Sequence, residues 1–227
     1  DIAMTLQLRR GGLRRLGTTK LKSVDDLFRG MLVASPEAAL RPTDYAHLKP
    51  GFADLQQLLR DALEHRRSGV NVLLYGPPGT GKSELARLLA AELGVPMYDV
   101  ADMDEEGAVL RPEERLAGAV SGLFLLGSRR ALVCFDEVEA IFNDGSDFFG
   151  KPSTAESQKS FFNRLLQGNE VPVFWIANSV RGIDQAFARR FDLVIRLESP
   201  SRAQRLRLLE RECGSLVKPE QLQQLAQ

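Results

Sequence analysis

Apolar residues recur along the chain with two alternating periods. Phe52, Leu55, Leu58, Leu59 and Leu63 fall at the spacing of one face of an amphipathic helix, which ends at the arginines before Gly69. Val70-Asn71-Val72-Leu73-Leu74-Tyr75 follows as a short apolar run bounded by glycine on both sides, which predicts a buried strand. From Glu84 to Leu93 the helical period returns, with Leu85, Leu88, Leu89 and Leu93 on one stripe and Gly94 as the stop signal. Similar runs predict strands over 95–100, 131–135, 171–177 and 193–197, and helices near 112–126, 155–166 and 201–212. A weak helix is predicted over 24–31. Strands alternating with helices imply an α/β domain with a mostly parallel sheet and right-handed connections. The irregular stretch from Asn143 to Thr154, rich in Gly, Asp, Ser and Pro, reads as a functional loop or a disordered one.

Composition narrows the function classes. Of 227 residues, 44% are hydrophobic and 26% charged, as in ordinary globular chains. Basic and acidic residues both number 30, so net charge gives no case for a generic nucleic-acid or anionic-membrane binder. Six basic residues against Asp1 in residues 1–22 read as a solvated arm or the tail of an upstream domain, with a nucleic-acid-binding arm as the alternative. The longest low-polarity stretch, from Ala117 to Gly127, is far shorter than the ~20 residues that span a bilayer. The first residues do not read as a secretory signal. Cys134 and Cys213 cannot form a disulfide framework, and a cytoplasmic location is the simplest expectation. Asp1 in the place of an initiator Met and the polar, glutamine-rich end at Gln227 predict a segment of a longer protein.

Three strand ends carry the chemistry. The first strand runs into Gly76-Pro77-Pro78-Gly79-Thr80-Gly81-Lys82-Ser83 and then a helix, the strand-loop-helix setting of a phosphate-binding loop. Its glycines let the backbone curl so that N–H groups point at phosphates, and the helix adds its positive end. Lys82 is placed for the β- and γ-phosphates and the Ser83 hydroxyl for Mg²⁺. Leu132-Val133-Cys134-Phe135 ends in Asp136 and Glu137. After a phosphate loop, this pair reads as a carboxylate that holds Mg²⁺ through its water shell and one that polarises the attacking water. Val173-Phe174-Trp175-Ile176-Ala177 ends in Asn178, whose amide can hydrogen-bond the lytic water or the γ-phosphate. Arg189 and Arg190 close an apolar-patterned segment just before the last strand. In phosphoryl transfer, an arginine delivered in trans is worth several kcal/mol of transition-state stabilisation.

Taken in order, GPPGTGKS (76–83), LVCFDE (132–137), IAN (176–178) and IDQAFARRFD (183–192) resemble the Walker A, Walker B, sensor 1 and second-region-of-homology motifs of the AAA family, over about residues 44–227. The resemblance implies a five-stranded parallel P-loop sheet between helices and a small helical lid. It also implies ring hexamers binding ATP and ADP between subunits, with Arg189 and Arg190 in the arginine-finger positions. Backbone in the segment from Asp44 to Leu48, including His47, is implied to lie near the adenine. The corresponding division is an N-terminal arm or linker over 1–43, the ATPase core over 44–199 and the start of a truncated lid over 200–227.

Two departures bear on mechanism. Where threading members carry an aromatic pore-loop tripeptide, this chain has Asp102-Met103-Asp104-Glu105-Glu106-Gly107. Residues 99–115 hold seven carboxylates against two arginines, a net of −5, which suits a basic client or a basic neighbouring surface. After Pro200 only one helix and the start of another fit, so weak nucleotide retention and poor hexamer formation are expected of this segment alone. The leading reading is a Mg²⁺-dependent ATPase that assembles as a ring and remodels an unidentified protein client. The alternatives are a nucleotide-gated scaffold with little turnover and a DNA-acting relative.

Overall fold

A computed structural model describes residues 28–48, 51–127, 129–142, 164–180, 188–214 and 216–225. In chain order the elements are β1 (Leu32–Ala34), a 3-10 helix (Pro42–Leu48), α1 (Gly51–His65), β2 (Asn71–Tyr75), α2 (Lys82–Leu93), β3 (Met97–Val100) and α3 (Pro112–Leu126). Then come β4 (Leu132–Phe135), α4 (Glu139–Phe142), β5 (Val173–Ala177), β6 (Leu193–Arg196), α5 (Arg202–Cys213) and α6 (Pro219–Leu225). Residues 164–168 form a further helical turn.

The strands make one sheet in the order β1-β3-β4-β5-β2-β6. All neighbours pair in parallel except β1, which runs antiparallel to β3 with Leu32 opposite Val100. The five expected strands are thus all present and parallel, and a sixth, antiparallel one is added at the edge. Along the central strands successive side chains enter opposite layers, as the pleat requires. Val72, Leu74, Leu132, Cys134, Phe174 and Ile176 pack with Leu55 and Leu59 of α1 and Leu85 and Leu89 of α2. Leu73, Val133, Phe135 and Trp175 pack with Leu116, Leu123 and Leu126 of α3. Burial on both faces explains why these strands read as continuous apolar runs rather than alternating ones.

Residues 28–43 are built into this body. Residues 28–31 form a turn, with the Met31 and Leu32 amides donating to the Phe28 carbonyl, where a helix was expected; residues 24–27 of that expected helix lie outside the described residues. Beyond β1, the Ser35 hydroxyl donates to Asp99 (2.8 Å) and the Ala39 amide to Glu84 on α2 (2.8 Å). The segment so reaches the 3-10 helix, whose Tyr45 is buried.

The amino ends of the strands are tied by a buried amide network. Asn71 Nδ2 donates to the Leu166 and Gly69 carbonyls (2.6 and 2.9 Å), and Trp175 Nε1 donates to Asn71 Oδ1 (2.9 Å). The Asn71 amide donates to Asp192 Oδ2 (2.9 Å), and the Asp192 amide donates back to the Asn71 carbonyl (2.9 Å). Satisfied buried amides of this kind fix the register of β6 against β2. The Asn143–Thr154 stretch, residues 155–163 of the expected helix, and Ile183 to Phe187 lie outside the described residues.

Candidate active site

The order β4-β5-β2 brings three carboxyl strand ends side by side, and with them the loop after Tyr75, Asp136 after Phe135, and Asn178 after Ala177. The loop leaves β2 with the Gly76 amide donating to the Ala177 carbonyl (3.2 Å). Gly76 has φ 148°, and a Cβ there would sit 2.0 Å from the Leu197 carbonyl oxygen, so only glycine fits. The Thr80 hydroxyl donates back to the Pro77 carbonyl (2.9 Å), closing the turn. Gly81 caps α2 without a side-chain hydrogen bond, which leaves the first helical N–H groups without a side-chain acceptor from that position.

Lys82 is buried at the start of α2. Its ammonium donates to the Gly76 and Pro77 carbonyls (2.8 and 2.9 Å) and to Asn178 Oδ1 (3.1 Å). Burial holds the ammonium below its ordinary pKa, against the opposing pull of the Asp136 and Glu139 carboxylates. Ser83 Oγ donates to Asp136 Oδ2 (2.7 Å), and Asp136 Oδ1 accepts the Glu137 amide (2.8 Å). Glu137 is exposed, with φ 59°, a left-handed backbone that a non-glycine residue seldom adopts. Asn178 donates from both its backbone amide (3.1 Å) and its side-chain Nδ2 (2.8 Å) to Glu139 Oε1.

Three contributors here were not singled out by the sequence reading. Glu139 begins α4, one residue beyond the buried Val138. Arg115, inside the helical pattern of α3, donates to the Asp136 carbonyl (2.9 Å) and lies 5.1 Å from the centre of the Phe135 ring. Tyr45 donates its hydroxyl to the Gly81 carbonyl (2.7 Å), and burial, together with the Glu84 and Asp44 charges, pushes that hydroxyl above its ordinary pKa. An acid two residues after a catalytic-looking pair could have flagged Glu139; Arg115 and Tyr45 depend on tertiary placement.

His47 stacks beside Tyr45 (6.5 Å between ring centres) and meets Gln204 of α5 through Nδ1 (2.7 Å). Asp44 pairs with Arg211 of α5 at 2.7 Å. Both contacts tie the 3-10 helix to α5. Arg189 and Arg190 are exposed and precede β6, whose Leu193 lies opposite Val72 near the start of β2. They therefore sit off the other end of the sheet from Gly76, about 13 Å of strand away, and do not join the Lys82 cluster of their own chain.

A sequence profile described as "ATPase family associated with various cellular activities (AAA)" matches residues 72–199, more than half of the chain. Over 195 residues the chain is 31% identical to the ATP-dependent zinc metalloprotease FtsH 1 of Symbiobacterium thermophilum, covering 76% of this chain and 31% of that protein. Over 160 residues it is 29% identical to the vacuolar protein sorting-associated protein 4 of Dictyostelium discoideum, covering 66% of this chain and 34% of that one. The chain thus spans about a third of the length of these curated relatives. Among solved structures, a chain of the E. coli MS115-1 HORMA:CdnC:Trip13 complex superposes with a TM-score of 0.56 at 16% identity, covering 91% of this chain and 82% of that one, a likeness of fold. Among the described residues, no helix is long and apolar enough to cross a membrane.

Proposed function

The chain belongs to the AAA family of ATPases, and from that premise we propose that it hydrolyses Mg²⁺-bound ATP between subunits of a ring and uses the energy to remodel a protein partner. The observation that carries this reading is the meeting of Lys82, Ser83, Asp136 and Asn178 at the carboxyl ends of adjacent strands, beside a loop whose first residue, Gly76, only glycine can occupy. The loop amides and the start of α2 receive the phosphates, and Lys82, now bonded to loop carbonyls, exchanges those acceptors for phosphate oxygens. The site is suited to Mg²⁺ because Ser83 Oγ and Asp136 Oδ2, both hard oxygen donors, lie at hydrogen-bond distance from each other. When bound there, Mg²⁺ supplies charge neutralisation at the β- and γ-phosphate oxygens.

Glu137 takes the proton of the attacking water, and Asn178 orients that water. Arg189 and Arg190 serve the neighbouring subunit's γ-phosphate, a role favoured by their exposure and their distance from their own loop. His47 and its backbone neighbours border the adenine, supported by their contact with Gly81 through Tyr45 and with α5. The acidic loop after β3 suits a basic segment of the client; its Met103 and Val109, both largely exposed, bridge into a small hairpin in place of an aromatic grip. The deciding experiment is Glu137→Gln. ATP binding should persist while steady-state phosphate release drops at least ~100-fold, the usual weight of a general base. Native turnover in that variant would assign Glu137 no chemical role, and no turnover in the unaltered protein would leave a nucleotide-gated scaffold as the reading.

A further inference from the structure

Asn178 is held from two sides by groups that each accept only one kind of atom. The Lys82 ammonium can only donate, so the atom it meets at 3.1 Å is the amide oxygen. The Glu139 carboxylate can only accept, so the atom it meets at 2.8 Å is the amide nitrogen. The orientation of the amide is therefore set by chemistry. Glu139 Oε1 also accepts the Asn178 backbone N–H, while its Oε2 is shielded from solvent and has no hydrogen-bond partner among the described residues.

We propose that Glu139 is a positioning residue which fixes the Asn178 amide with its nitrogen turned away from the phosphates and its oxygen toward them, so that Asn178 works in hydrolysis as a hydrogen-bond acceptor. The inference rests on the ATPase reading and selects between the two partners open to Asn178. With one Nδ2 hydrogen and the backbone N–H held by Glu139, the amide nitrogen lies on the side away from Lys82, and the oxygen is the atom turned toward the phosphate loop. Its oxygen, once Lys82 turns to the nucleotide, accepts from the attacking water and leaves the other water proton to Glu137.

The test is a double-mutant cycle on Glu139→Ala and Asn178→Ala in the full-length protein, with Glu139→Gln as the conservative variant. Glu139→Ala should lower kcat on the order of 10-fold or more with KM for ATP nearly unchanged, and adding it to Asn178→Ala should cause no further loss. Glu139→Gln, which keeps an Oε1 acceptor, should recover most of kcat. Additive losses, or a rise in KM with kcat intact, would overturn the assignment.

A readout independent of turnover is the side-chain NH₂ resonance of Asn178 in ¹⁵N-labelled protein. Its hydrogen-bonded shift and slowed exchange should vanish in Glu139→Ala and return in Glu139→Gln, whose own melting curve shows whether the site is folded. An unchanged resonance sinks the inference even if hydrolysis is normal. A resonance that responds in a protein without turnover would sink the ATPase reading and leave the positioning contact standing.

Discussion

At the residue scale, one ion pair couples the 3-10 helix to α5. Burial would raise the Asp44 carboxyl, yet the hydrogen bond from Arg211, the Arg41 backbone N–H and the Arg211 charge outweigh it and hold the group below its ordinary value. Both side chains are less than a quarter exposed, so the pair is worth about 1 kcal/mol rather than the near-zero of a solvated bridge. Because the folded carboxyl titrates lower than the unfolded one, that stability is fully present above the unfolded value near 3.8 and is lost as the pH falls through the folded value. Asp44→Asn should accordingly lower the melting temperature at pH 7, and the difference should begin to close only once the pH falls below about 4. A constant difference across that range would show that the charge contributes nothing. Asp136, Glu137 and Lys82 were legible in the sequence because their chemistry lies in short, contiguous spacings. The pairings Asp44–Arg211 and Asn178–Glu139 were not, since each joins elements far apart in the chain, even though Asn178 itself stood out at the end of its strand.

The elements show the same division between what periodicity reveals and what packing decides. Long helices such as α1 and the buried central strands have enough repeats for their period to stand out. β1 has three residues, with Leu32 buried and Val33 more than half exposed, too short to display any period. Its position depends instead on a close approach to one glycine of α3, Gly122, and not on Gly118 one turn earlier. A Cβ at Gly122 would stand 2.5 Å from Leu32 Cγ, whereas one at Gly118 would meet Met31 Cα at an ordinary 3.5 Å. Gly122→Ala should therefore destabilise the protein by about 1–3 kcal/mol in denaturant titration, the usual weight of overpacking, in spite of alanine's better helix propensity. Gly118→Ala should be close to neutral or stabilising. Equal effects at the two positions would mean that β1 is not held by this close approach. Since β1 also leads into the segment that reaches Tyr45 and Gly81, a loosened edge should weaken nucleotide binding through the arm rather than through the loop itself.

For the whole molecule, the decisive geometry is the separation of Arg189 and Arg190 from their own phosphate loop. Parallel pairing of β6 with β2 puts the arginines near Asn71 and the loop beyond Tyr75, and Asp192 locks that arrangement through the Asn71 backbone. No rotamer change crosses the length of a strand, so these arginines act on a second copy or not at all. Head-to-tail contact, which places one subunit's site against a different surface of the next, is the geometry that forms closed rings. A protein altered at Arg189 and Arg190 to alanine retains its phosphate loop and Glu137, and a Glu137→Gln protein retains its arginines. Each alone should be nearly inactive. Mixed in equal amounts, they create interfaces where an intact loop meets intact arginines, about a quarter of all interfaces if subunits assort at random. Turnover of the mixture should then rise toward that fraction of the native rate, and turnover per subunit of the native protein should climb with concentration as interfaces form. A mixture no faster than its components would show that the arginines do not complete a neighbour's site, leaving the fixed distance across β2 as a barrier that assembly does not bridge.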